Sequence, residues 1–162
     1  MQSISIANQW CQDWEDELLS EEVLADRISE LIKTKNGLRG FFAYTLSDMN
    51  CTLLDKMPSS LIYALRASGE NIVEITVKNL IMSSAQIINH QNDNKMDYAE
   101  RSSNISERCL NLLRNLDTKL VTKAINNNLN KLDFMSNAID HSIKFNEDQK
   151  RFIIQKFKEI DH

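Results

Sequence analysis

Three glycines and a single proline serve a chain of 162 residues, and that shortage is the strongest constraint on its fold. Strands are joined by turns, and turns draw on glycine and proline for backbone angles that other residues resist. A chain so poor in both suits long helices joined by short polar connections. Apolar residues also recur at helical spacing along nearly the whole sequence. The pattern predicts an all-α fold, a single-domain bundle of about six to eight helices over residues 1–162.

The stripes can be placed one by one. Ile6, Trp10, Trp14 and Leu18 mark an acidic amphipathic helix over about residues 4–18. Ser20 is positioned to cap a second helix, with Glu21 and Glu22 facing its positive end. That helix carries Leu24, Ile28, Leu31 and Ile32, and Asn36–Gly37 is its expected stop. In "LRGFFAYTLSDM", Leu38, Phe42, Leu46 and Met49 fall on one face. Pro58 suits the first turn of "PSSLIYALRASG", and Gly69 ends it.

The segment "ENIVEITVKNLIMSSAQIINHQ" opens with Ile72, Val73, Ile75, Thr76 and Val77, a β-branched run that reads as a strand. Yet Val73, Val77, Leu80, Ser84, Ile87 and Ile88 share one helical face, and no partner strand is evident. A central buried helix is the expectation. A polar loop, "NDNKMD", leads to a helix bearing Tyr98, Ser102, Ile105, Cys109, Leu112, Leu113 and Leu116. Leu120, Val121, Ala124 and Ile125 open another. Asn146 and Gln149 bracket a capping box before Phe152, Ile153, Phe157 and Ile160.

Hydrophobic content of 42% and charged content of 26% are ordinary globular values, which argues against wholesale disorder. The net charge of −4 disfavours a surface that tracks phosphates, so no nucleic acid is expected. Three cysteines with no CxxC spacing make neither a zinc ribbon nor a disulfide framework. No apolar run approaches the roughly 20 residues that span a bilayer. The start lacks the basic and apolar regions of a signal peptide. A soluble cytoplasmic protein, with no membrane contact, is the expectation.

Chemistry-bearing patterns are sparse. His90, at the end of the central helix, is followed by Asp93, Asp97 and Glu100, and a hairpin would bring one imidazole and carboxylates together as an open metal centre. The same acids have a plainer task at a helix N-terminus. Asp140–His141 resembles the HD dyad of metal phosphohydrolases in residue types, but the remaining ligands of that pattern are missing. Cys109 lies on an apolar stripe as a small hydrophobe. Cys51 follows Asp48 in a loop and is expected to be the better exposed thiol, with no base near it. Arg101, Arg108 and Arg114 alternate with acids, the pattern of a solvated helix face rather than a recognition helix.

"RGFF", "VKNLIMSSAQIINH", "ERCLNLLRNL" and "NEDQKRFI" resemble a set of small all-helical cyanobacterial proteins with no assigned activity. The likeness covers residues 38–160 and implies a helical fold and a cyanobacterial source. It implies no catalytic residue.

The functional expectation is a non-enzymatic helical protein, without cofactor, that acts through protein contacts as an adaptor, assembly factor or self-associating regulator. Its candidate interface is Trp10, Trp14 and Leu18, with a protein partner or a second copy opposite. The alternative is a small metal-dependent or small-molecule enzyme using His90, Asp97 and Glu100. A circular dichroism spectrum dominated by helix is expected, and one dominated by strand would restore residues 72–77 as β.

Overall fold

The computed structural model describes the backbone of residues 2–134 and 144–160 and the side chains of 4–132 and 144–160. It is all-helical, with 82% helix and no strand among the described residues. The chain divides into two compact units, Met1–Ile72 and Val73–His162.

The first unit holds α1 (Gln2–Glu15), α2 (Glu21–Leu31), α3 (Lys35–Ser47), α4 (Leu53–Lys56) and α5 (Ser59–Ala67). Helix α1 packs on α3 and α2, and α2 packs in turn on α5 and α3. Buried side chains follow the expected stripes on α2 (Leu24, Ile28) and on α3 (Leu38, Phe42, Leu46), and α5 buries Leu61 and Leu65. Phe41, unassigned by the stripe, is fully buried and meets Phe42 edge-on, with ring centroids 5.6 Å apart. Met49 lies beyond the end of α3 and is exposed.

The second unit holds most of α6 (Glu70–Asn92), with α7 (Met96–Asn115), α8 (Thr118–Phe134) and α9 (Glu147–Lys158). Residues 72–77 are therefore helical. Their β-branched side chains lower helix propensity only slightly, and a buried face outweighs that. Helix α9 packs on α8 and is fastened at both ends. At its start Gln149 Nε2 donates to Ala85 O at 3.2 Å and to Asn89 Oδ1 at 2.9 Å. At its end the Arg114 guanidinium donates twice to Glu159 O, at 3.2 and 2.8 Å.

Nine helices are present among the described residues, one more than the top of the expected range. The addition is α4, a single turn too short to carry periodicity. Its C-cap, Met57, has φ 45°. The following Pro58 disfavours the right-handed helical region for Met57 and stands as N-cap of α5 rather than inside its first turn.

Helix ends show how the chain manages with so little glycine. Ser20 Oγ accepts from the Val23 N–H at 3.2 Å, as expected. The Asn146–Gln149 capping box is complete, at 2.9 and 2.8 Å. Gly69, at φ 62°, ends α5 as expected. The α1 terminus uses two bonds, Leu18 N–H to Asp13 O at 2.7 Å and Glu17 N–H to Trp14 O at 3.1 Å. This is a Schellman turn with Glu17, at φ 60°, where glycine usually stands. The α6 end repeats it with Asn94 at φ 55°, Lys95 N–H reaching His90 O at 2.8 Å.

Asn36–Gly37 does not end α2. Thr34 caps α3, its Oγ1 accepting from the Gly37 N–H at 3.0 Å, and Gly37 lies in the first turn of α3. A Cβ at residue 37 would stand 1.8 Å from Leu31 O, so glycine is required for close approach to the end of α2.

These positions predict opposite outcomes. Glu17→Gly is expected to stabilise the protein by about 1 kcal/mol, because glycine escapes the left-handed penalty. Gly37→Ala is expected to destabilise it by about 2 kcal/mol, since crowding against a backbone oxygen outweighs the gain in helix propensity. Urea midpoints of the two variants check both signs.

Candidate functional site

The stripe of Ile6, Trp10, Trp14 and Leu18 was expected to dock, either on the chain's own bundle or on a partner. Helix α1 instead turns Ala7 and Cys11 fully inward, each 2% exposed, one turn apart on the face that docks on the unit. Small side chains let a helix approach its neighbours closely. Trp10 and Trp14 are half-buried beside that face. Ile6 is 39% exposed, and Leu18 is 73% exposed because the Schellman turn carries it off the helix. The aromatic pair thus borders a surface that is partly open.

The acids around the tryptophans have separate tasks. Asp13 and Asp16 accept from Gln9 and Gln12 one turn earlier, at 2.8 and 3.1 Å. Glu15 Oε1 reaches across the unit to accept from the Thr52 N–H at 3.1 Å and the Thr52 hydroxyl at 2.9 Å. Glu21 Oε1 accepts from the Ser60 N–H at 2.8 Å, meeting the positive start of α5. Lys56 Nζ stands 5.5 Å from the centre of the Trp14 ring, a cation over an aromatic face. Helices α2 and α5 also border a cleft of about 460 Å³, lined by Glu22, Asp26, Ser29 and the 80%-exposed Tyr63.

Behind α1 the structure places a cluster that the sequence reading missed. Cys51, expected to be exposed, is 1% exposed, and its thiol is hydrogen-bonded to that of Cys11. The hydrogen bond with Cys51 and burial hold the Cys11 thiol well above the ordinary thiol range. Tyr44 adjoins them, its phenol pushed upward by burial and then by Cys51, Asp48, Cys11 and Glu15. The reason for the miss is physical. A loop residue becomes buried when the chain folds back over it, and here Glu15 holds that loop down through Thr52. The only hint was the Ala7–Cys11 spacing, a narrow face that is easily outweighed by two tryptophans. Cys109, fully buried as expected, has its thiol pushed up to about 12 by burial alone.

The second candidate set does not assemble. His90 stacks on Tyr98, ring centroids 5.5 Å apart, and Arg101 covers the same tyrosine at 5.6 Å. Asp97 and Glu100 are exposed in the first turns of α7. Among the described residues no group of three or more His, Cys, Asp or Glu is placed to hold a metal ion. Asp140–His141 lies outside the described residues. Of the three arginines expected on a solvated face, Arg108 is 4% exposed, Arg101 stacks and Arg114 holds the end of α9. No helix of the described residues is long and apolar enough to cross a membrane.

One family model matches residues 1–160, that of uncharacterised conserved protein UCP020893. No curated protein and no solved structure matches the chain.

Removing the Glu15 carboxylate tests the clamp. In Glu15→Ala the Thr52 amide is expected to exchange its hydrogen faster, with a loss of stability of about 1 kcal/mol, and an unchanged exchange rate would show that the loop is held by other means.

Proposed function

The chain belongs to that family along nearly its whole length, and on that premise we propose a non-enzymatic helical protein that works through protein contacts, as an adaptor, assembly factor or self-associating regulator. The observation that carries the reading is the partly covered flank of α1. Ile6, Trp10 and Trp14 form an apolar strip that the unit covers only in part. Tryptophan in such a setting is the residue type most enriched at binding hot spots.

The charge around the strip selects the kind of partner. Asp13, Asp16, Glu17, Glu21 and Glu22 lie close to it in sequence, so the partner it fits is a protein with an apolar ridge and a basic rim. Such a rim steers encounter and suppresses wrong partners more than it adds affinity. A second copy of the same flank would set these carboxylates against one another, so self-association takes the form of this face meeting a more basic one. A cyanobacterial cytoplasm is the setting this reading takes.

Native mass spectrometry of the tagged chain recovered from its source is expected to show one complex of fixed stoichiometry. Trp10→Ala is expected to raise the dissociation constant at least about 30-fold, a hot-spot loss of about 2 kcal/mol, while leaving the helix content unchanged. Higher salt is expected to slow association. A chain that sediments alone at high concentration, with both indoles shielded from a soluble quencher, would overturn the reading.

A further inference from the structure

We propose that Cys11 and Cys51 are a dithiol that a small disulfide oxidant converts to an internal disulfide, fastening α1 to the loop between α3 and α4. The proposal goes beyond the partner reading and does not depend on it.

Three observations place the two sulfurs for this reaction. Their side chains lie close enough to interact, both are buried, and neither is in a disulfide. Helix α1 packs on α3, the helix that leads into the Cys51 loop. Independently, Glu15, one turn beyond Cys11, bonds both the backbone and the side chain of Thr52, the residue after Cys51. The two segments are thus held together at adjacent positions by contacts that do not involve sulfur. Cys109 sits alone in the second unit and serves as an internal control.

The chemistry balances with a dialkyl disulfide such as oxidised glutathione. One protein thiol loses its proton, and its sulfur attacks the oxidant, expelling one thiolate and forming a mixed disulfide. The second protein thiol then loses its proton and attacks the first protein sulfur, expelling the other thiolate. Two protein thiols are oxidised and one disulfide is reduced to two thiols. The interaction with Cys51 and burial keep the Cys11 thiol protonated while α1 is docked, and the thiolate is the nucleophile. Reaction therefore starts when α1 lifts. Cys51, in the turn between α3 and α4 rather than inside a helix, is the first attacker. Closure then returns α1 to its docked place and keeps it there.

The test treats the full-length reduced chain with oxidised glutathione near pH 8. Of the three thiols, one is expected to remain titratable, with a mass loss of about 2 Da for the new bond. Peptide mapping is expected to join Cys11 to Cys51, and the oxidised form is expected to melt at a higher temperature until dithiothreitol returns it. Cys51→Ser is expected to stop the reaction and Cys109→Ser to leave it intact. Should Cys51→Ser fail to fold, the wild-type peptide map decides alone. A bond that includes Cys109, a disulfide between two chains, a lasting glutathione adduct without an internal bond, or three thiols still titratable under excess oxidant would each overturn the proposal.

Discussion

Everything in this fold depends on how a helix is stopped when glycine is scarce. Each helix leaves four amide donors at one end and four carbonyl acceptors at the other, and burying them without partners costs more than a typical hydrogen bond returns. The chain answers with side chains. Ser20, Thr34 and Asn146 accept from first-turn amides. Glu21 serves the start of α5, and Arg114 serves the Glu159 carbonyl just past the end of α9. Where a left-handed residue is unavoidable, Glu17, Met57 and Asn94 take it alongside Gly69. The second of the three glycines in chain order goes elsewhere, since Gly40 is buried within α3.

Those stops explain where the functional surfaces fall. The turn at Glu17 removes Leu18 from the α1 face, and just before it Glu15, the last residue of α1, accepts from Thr52. The loop so pinned is the one that brings Cys51 against Cys11. One Schellman turn and one carboxylate thus fix the aromatic flank and bury the thiol pair together. At the other hairpin, Asn94 turns the chain so that Tyr98 comes back over His90. An imidazole that looked like a ligand in one dimension is a stacking partner in three.

Helix type was legible in the sequence because burial is periodic, and the stripes on α2 and α3 needed nothing but spacing. The strand-like run at 72–77 was resolved by the same rule, since its apolar residues keep one face. What spacing does not carry is angular precision. Ile6, Trp10 and Trp14 sit only a fraction of a turn away from Ala7 and Cys11, and hydrophobicity alone favours the larger residues. Which of two neighbouring faces turns inward depends on how closely the backbones approach, and that is set by small residues. The burial of Cys51 depends on Glu15, far away in sequence, so no local pattern encodes it. Gly37 shows the same limit from the other side, for it carried the signature of a stop while its task is room for Leu31 O.

The double fastening of α9 has a further consequence. Helices attached through their middle fray from both tips, losing protection gradually toward the ends. Helix α9 is anchored at its first turn by Gln149 and just past its last by Arg114, so neither tip is free to open alone. Opening then needs both anchors to release together, which makes the helix a cooperative unit in the sense of a foldon. Its amides should share one exchange free energy from end to end, as the links of a chain bolted at both ends bear a single tension.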